Sequence, residues 1–179
     1  MKVIDILMTE HQVILSKLNE MEALASQSRQ LQVDEIQDLI NFFQIFADAY
    51  HHKKEEDILF VWMREMNPMV EHGPLACMLK EHDQGRASLL EALDLMDKQE
   101  FGDSLKSVLQ QFCDNLRQHI EKEDNVLYSI ARQLEINPGD GDAAMLDEFM
   151  RVNEREKNSA WGLISSDAQK ELAKFEVVR

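Results

Sequence analysis

Little in this chain punctuates it: three prolines and six glycines in 179 residues leave few of the turns that a fold of many short strands would need. Helices in one domain are therefore the first expectation, and the length is enough for a sizeable core. Cysteine is equally scarce. Cys77 and Cys113 make no CxxC and no zinc-knuckle spacing, so they read as inert buried thiols rather than a disulfide or a redox switch. Bases are outnumbered as well, 19 against 34 acids, and a formal charge of −15 excludes the basic surface that nucleic acid or an anionic membrane requires. Long apolar runs are missing: the N-terminal stretch is broken by Asp5 and ends at Glu10, and no later one approaches the roughly 18 residues of a membrane span. The expectation is an acidic, cytoplasmic protein with neither nucleic acid nor membrane as partner.

What the chain does have is helical periodicity. Ile4, Leu7, Met8, Leu15, Leu18 and Ala25 fall on one stripe at 100° per residue, predicting a helix over 3–26 with His11 in the middle of the stripe. After a polar stretch to Gln32, a second helix is predicted over 34–66, with Ile40, Phe43, Ala47, Ile58 and Trp62 inward beside His51 and Glu55. Asn67-Pro68 and His72-Gly73-Pro74 bracket a loop, and Pro74 suits the first position of a third helix running to Gln99, its stripe centred on His82. Gly102 and Asp103 read as turn and N-cap of a fourth helix to Glu135, with His119 and Glu123 on its inner face. Asn137-Pro138-Gly139-Asp140-Gly141 is the strongest turn signal and should end the bundle. The division that follows is a four-helix bundle over 1–136 and a helical extension over 137–179, packed on its outside. Ten methionines suit such a core.

The central feature is an internal repeat. His51-His52-Lys53-Lys54-Glu55-Glu56-Asp57-Ile58-Leu59-Phe60 returns as His119-Ile120-Glu121-Lys122-Glu123-Asp124-Asn125-Val126-Leu127-Tyr128, and Glu10-His11 returns as Glu81-His82. Two helical hairpins in tandem result, each with a His on one helix and a His-x-x-x-Glu, stacked one turn apart on one face, on the other. Paired, they make an all-α, up-down four-helix bundle of two pseudo-symmetric hairpins, with four His and two Glu converging on one level of the core.

Burying two carboxylates among leucine and phenylalanine costs several kcal/mol per ion unless each is neutralised, and Arg86 is the only base expected near the inner faces. Metal cations supply that charge. Imidazole and carboxylate without thiolate suit iron, manganese or zinc, and two shared carboxylates suit a pair of ions held by His11, His51, Glu55, His82, His119 and Glu123.

His52 and Glu56 share the same i, i+4 spacing, but on a regular helix they are rotated roughly 100° from His51 and Glu55, and the repeat aligns His52 with Ile120 and Glu56 with Asp124. His52 is thus expected either at the edge of the site or supporting its ligands, with Glu56 and Asp124 either solvated or supporting them too. His72 lies about 15 Å along a continuous helix from His82 and would join only through a loop folded back into the bundle. Tyr50, next to His51, is expected to pack rather than ligate.

The order His11, His51-x-x-x-Glu55, His82, His119-x-x-x-Glu123 resembles the hemerythrin-like (HHE cation-binding) family, specifically its bacterial H-HxxxE-H-HxxxE members, over about residues 1–135. The resemblance implies a non-heme di-iron centre, oxo- or hydroxo-bridged, with Glu55 and Glu123 spanning the irons and zinc or manganese as possible substitutes. Symmetry allows two divisions of the histidines, either His11 with His119 and His51 with His82, or His11 with His51 and His82 with His119; the family suggests the first. Oxygen-carrying hemerythrins use His-x-x-x-His on the third helix, whereas Met78 stands four residues before His82 here. That difference favours a site reacting with O2, nitric oxide or peroxide over simple oxygen carriage. Three functional readings follow: a di-iron protein binding or processing such a ligand, in oxygen, nitrosative or oxidative response or in iron handling; a catalase- or peroxidase-like enzyme; and an iron- or redox-responsive regulatory module contacting a protein partner through its C-terminal tail.

Overall fold

The computed structural model describes residues 1–26 and 33–175, and among these it is helical throughout, without strands. Helix α1 is Lys2–Ala25. Helix α2 spans 33–66 and changes pitch along its length: α-helical Val33–Phe42, π-helical Phe43–His52, π-helical Glu55–Leu59 and α-helical Phe60–Met66. Helix α3 is Ala76–Asp97, entered through a π turn at Glu71–Leu75 that contains Pro74. Helix α4 spans 103–134, with a π turn at Glu123–Leu127 between Asp103–Lys122 and Tyr128–Leu134. These four form the bundle, α1 packing along α4 and α4 along α3. Helices α5, Asp140–Ala160, and α6, Ser166–Ala173, follow.

Most predicted boundaries lie within a few residues of those observed. Gly102, not Asp103, occupies the cap of α4, and Asp103 is its first residue. The polar stretch 27–32 that separates α1 from α2 lies outside the described residues. Cys113 is buried as expected, but Cys77 is exposed on α3, beside Glu81.

The predicted stripes become two apolar clusters above and below the level of the histidines. One gathers Ile14, Leu18, Ile40, Phe43, Phe46, Leu109 and Phe112; the other gathers Ile4, Leu7, Leu59, Phe60, Met63, Leu127 and Tyr128. Helix α5 belongs to both. Met145 and Phe149 enter the second cluster and Val152 and Ala160 the first, so the extension covers α1 and the middle of α2 with core side chains. Its start is locked to the N-terminus: Asp142 accepts the backbone N–H groups of Lys2 and Val3, satisfying two of the donors that open α1. Gly139 turns the chain with φ of 99°, and Gly141 sits where an added Cβ would lie 2.7 Å from Met1.

Candidate metal centre

Both His-x-x-x-Glu motifs run into a π turn that begins at the glutamate, Glu55–Leu59 in α2 and Glu123–Leu127 in α4. Single π turns are uncommon and recur at functional sites, because one extra residue per turn re-aims the side chains. Here they help bring the six expected residues to one level of the core. His11, His51, His82 and His119 are at most 3% exposed, and Glu55 and Glu123 are wholly enclosed.

The histidines form two facing pairs. His11 lies with His51, ring centroids 4.6 Å apart and inclined at 56°; His82 lies with His119, 4.7 Å apart and inclined at 71°. The rings therefore face each other as in the second division that symmetry allows, rather than as in the one the resemblance suggests. The His82 and His119 Nε2 atoms are 3.0 Å apart, the separation of two neighbouring ligands each about 2.1 Å from one ion. The carboxylates tie the pairs together. Glu55 Oε2 lies 3.6 Å from Nε2 of both His51 and His82, and Glu123 Oε2 lies 3.3 Å from His11 Nε2 and 3.2 Å from His119 Nε2. Each glutamate thus spans one histidine of each pair.

Behind the histidines a closed ring of acids runs once around the bundle. His11 Nδ1 meets Asp124 at 2.7 Å, His119 Nδ1 meets Glu81 at 3.0 Å, His82 Nδ1 meets Glu56 at 2.6 Å and His51 Nδ1 meets Glu10 at 3.0 Å. Every bundle helix contributes one His and one acid, and every pair joins neighbouring helices. A carboxylate at Nδ1 fixes the tautomer that leaves Nε2 free for a metal and makes it more basic. Glu56 and Asp124 therefore take the supporting role behind His82 and His11, and Glu10 and Glu81, visible in sequence only as repeat markers, do the same behind His51 and His119.

Burial and close mutual approach shift the proton affinities of these groups. Burial and the neighbouring Glu123 push Glu55 up to about 8. Burial opposes a charge on His11 and His82 too, but the surrounding carboxylates outweigh it and raise both to about 10. Burial likewise works against Glu123, yet His119, His11 and His82 hold it well below the usual carboxylate range. Even so, Glu55 Oε2 and both Glu123 oxygens are the buried side-chain polar atoms left without a hydrogen bond among the described residues. Unpartnered carboxyl oxygens between two pairs of imidazole nitrogens are a donor set that cations fit.

Three observations concern neighbours. Arg86 is not the only base near the inner faces: Lys54 is fully buried, bonded to Glu10, and 3.7 Å from the Tyr50 ring centroid. Asn153 on α5 accepts from Tyr50 at 2.8 Å and from Lys54 at 3.4 Å, so the extension closes this network. His52, expected at the edge or behind the ligands, is 7% exposed and lies beside His82 and His119. Within the π-helical stretch each residue advances the chain by less than 100°, so His51 and His52 both turn inward, and His52 groups with His82 and His119. The third concerns Tyr128, which reads in sequence only as the last residue of the repeat; its hydroxyl donates to Glu55 at 2.7 Å. His72 is exposed and belongs to neither cluster.

A family model described as the hemerythrin HHE cation-binding domain matches residues 2–131. The chain belongs to that family, with α5 and α6 lying beyond the matched stretch. No curated protein and no solved structure matches it. Among the described residues no helix is long and apolar enough to cross a membrane.

Proposed function

We propose that the chain is a di-iron protein that binds or reacts with O2, nitric oxide or peroxide. His11 and His51 would hold one ion, His82 and His119 the other, and Glu55 and Glu123 would join them. The observation that carries this reading is the trio of orphaned carboxylate oxygens between the two histidine pairs. When bound, the metal pair would supply Lewis acidity and electrons to a small ligand. The chain's own residues do the rest. The ring of Asp124, Glu81, Glu56 and Glu10 orients the imidazoles, and the apolar clusters above and below exclude water.

His52 is not counted among the ligands. A metal bound by an imidazole lies close to the ring plane, and the His52 ring lies nearly flat on that of His82, 3.7 Å between centroids with a tilt of 14°. Two such planes have no common point at ligand distance. The ligand is assigned to the His82–His119 end, because a cavity reaches that end from the surface and is lined by both residues. The test is metal analysis with an absorption spectrum of protein purified without air and then exposed to it. About two irons per chain with near-ultraviolet charge-transfer bands are expected; a single tightly held zinc, with no such bands, would refute the reading.

A further inference from the structure

The cavity that reaches His82 and His119 is larger than a diatomic ligand needs. It encloses about 320 Å³ between α2, α3 and α4, with His52, His82 and His119 at its inner end and Phe43, Ala47, Gly85, Leu89, Phe112 and Leu116 as apolar walls. One water or diatomic molecule takes up on the order of 30 Å³, so the space is about tenfold in excess and lies in the range of sites for small organic molecules. Gly85 adds to the case. It stands in the middle of α3, where glycine weakens a helix relative to alanine, and no packing contact requires it: an added Cβ would meet only Phe112, at 3.9 Å. The absent side chain leaves its volume to the cavity.

The polar groups narrow the ligand. Arg86 is held by Asp48, Glu56 and Asp83, and Lys122 by Glu81. Both are already neutralised by carboxylates, and a chain of net charge −15 repels anions generally. At the inner end His52 Nδ1 meets Asp48 at 3.3 Å, which keeps the ring proton there and leaves Nε2 as an acceptor. A ring nitrogen of His52 lies within 4.8 Å of those of His82 and His119.

We propose that this cavity binds a neutral, mainly apolar organic molecule carrying one O–H group, its body against Phe43, Leu89 and Phe112 and its O–H donating to His52 beside the His82–His119 pair. The inference rests on the metal reading only for what lies next to that O–H end; binding itself needs no metal. His52 acts here as a positioning residue.

Calorimetric titration of the full chain, metal-free and iron-loaded, with benzyl alcohol, toluene and benzoate as probes tests it. Benzyl alcohol is expected to bind saturably at one site in both forms, toluene about threefold to tenfold more weakly for want of the hydrogen bond, and benzoate not at all. Gly85→Leu should fill the cavity and weaken benzyl alcohol at least tenfold while the melting temperature holds or rises; if that variant does not fold, Gly85→Ala should weaken it to a smaller extent. His52→Leu should erase the advantage of the alcohol over toluene. Absence of saturable binding in both forms, unchanged affinity in the folded Gly85 variant, or benzoate binding as tightly as the alcohol would overturn the proposal. An unchanged alcohol preference in His52→Leu would overturn the part given to His52. Chain that binds benzyl alcohol but takes up no iron would leave the cavity standing and remove the metal reading, and the reverse result would remove the cavity alone.

Discussion

Tyr128 donates its hydroxyl proton to Glu55 across 2.7 Å and stacks on His11, whereas Phe60, its counterpart in the first copy of the repeat, stacks on His82 with no hydroxyl to offer. The two ends of a pseudo-symmetric centre therefore differ chemically. The His11–His51 end has a phenol, and the His82–His119 end has His52 and a cavity. Tyr128→Phe makes the two ends alike at this position. It should keep its metal but destabilise the metal-free protein by about 1 to 3 kcal/mol, because a buried carboxylate oxygen loses its donor. Chemical unfolding with and without metal checks this, and loss of metal from the variant would instead make the phenol a ligand.

The register of the site is open to direct trial. Glu55→Ala or Glu123→Ala should abolish binding of the ion pair, since each glutamate spans both histidine pairs. Glu56→Ala should retain binding but weaken it about 10- to 100-fold by freeing His82 Nδ1. If Glu56→Ala loses all metal while Glu55→Ala keeps it, the assignment is wrong by one residue.

Lys54 and Glu10 should respond as a pair. Lys54→Met leaves a wholly buried carboxylate without its cation and should cost about 3 to 5 kcal/mol. Adding Glu10→Gln should recover most of that loss, although His51 then loses its anionic partner. A double-mutant cycle measures both, and additive costs would show that the two charges do not depend on each other.

The metal-free protein should lose stability as pH rises from about 7 to about 10; below that window His51 and His52, which burial holds well below 6.5, gain their contribution as pH rises and oppose the loss. Glu55 is raised from 4.5 to about 8, and His11 and His82 from 6.5 to about 10, so in each case the folded state holds its proton more tightly than the unfolded chain. Their contribution is complete below the unfolded values and is lost as pH climbs through the folded ones. Glu123 is shifted the other way, and its contribution fades only below about 4.5. Metal uptake must displace the same protons, so affinity should grow over the window in which metal-free stability falls. A metal-free stability that is flat or rising across that window would contradict this account.

Iron should also raise the melting temperature and protect the amides of 51–55 and 119–123 most strongly in hydrogen exchange, since those segments hold the orphaned oxygens. Equal melting temperatures with unchanged exchange would mean that the core tolerates the empty site.

By itself the sequence determined the helices, the repeat and the six residues brought to one level. Those features follow from spacing along a single helix, as in His51 and Glu55, and from the return of that spacing at His119 and Glu123. Only the tertiary structure decided which histidine faces which, because both divisions obey the same symmetry and the choice depends on which helices pack side by side. It alone closed the ring of Nδ1 partners, in which every acid serves a histidine on another helix. The inward turn of His52 came from π-helical pitch, which a wheel drawn at 100° per residue does not contain. Lys54 became a core residue because Glu10 comes from α1 and Asn153 from α5 to meet it, and no pattern local to α2 carries the position of either.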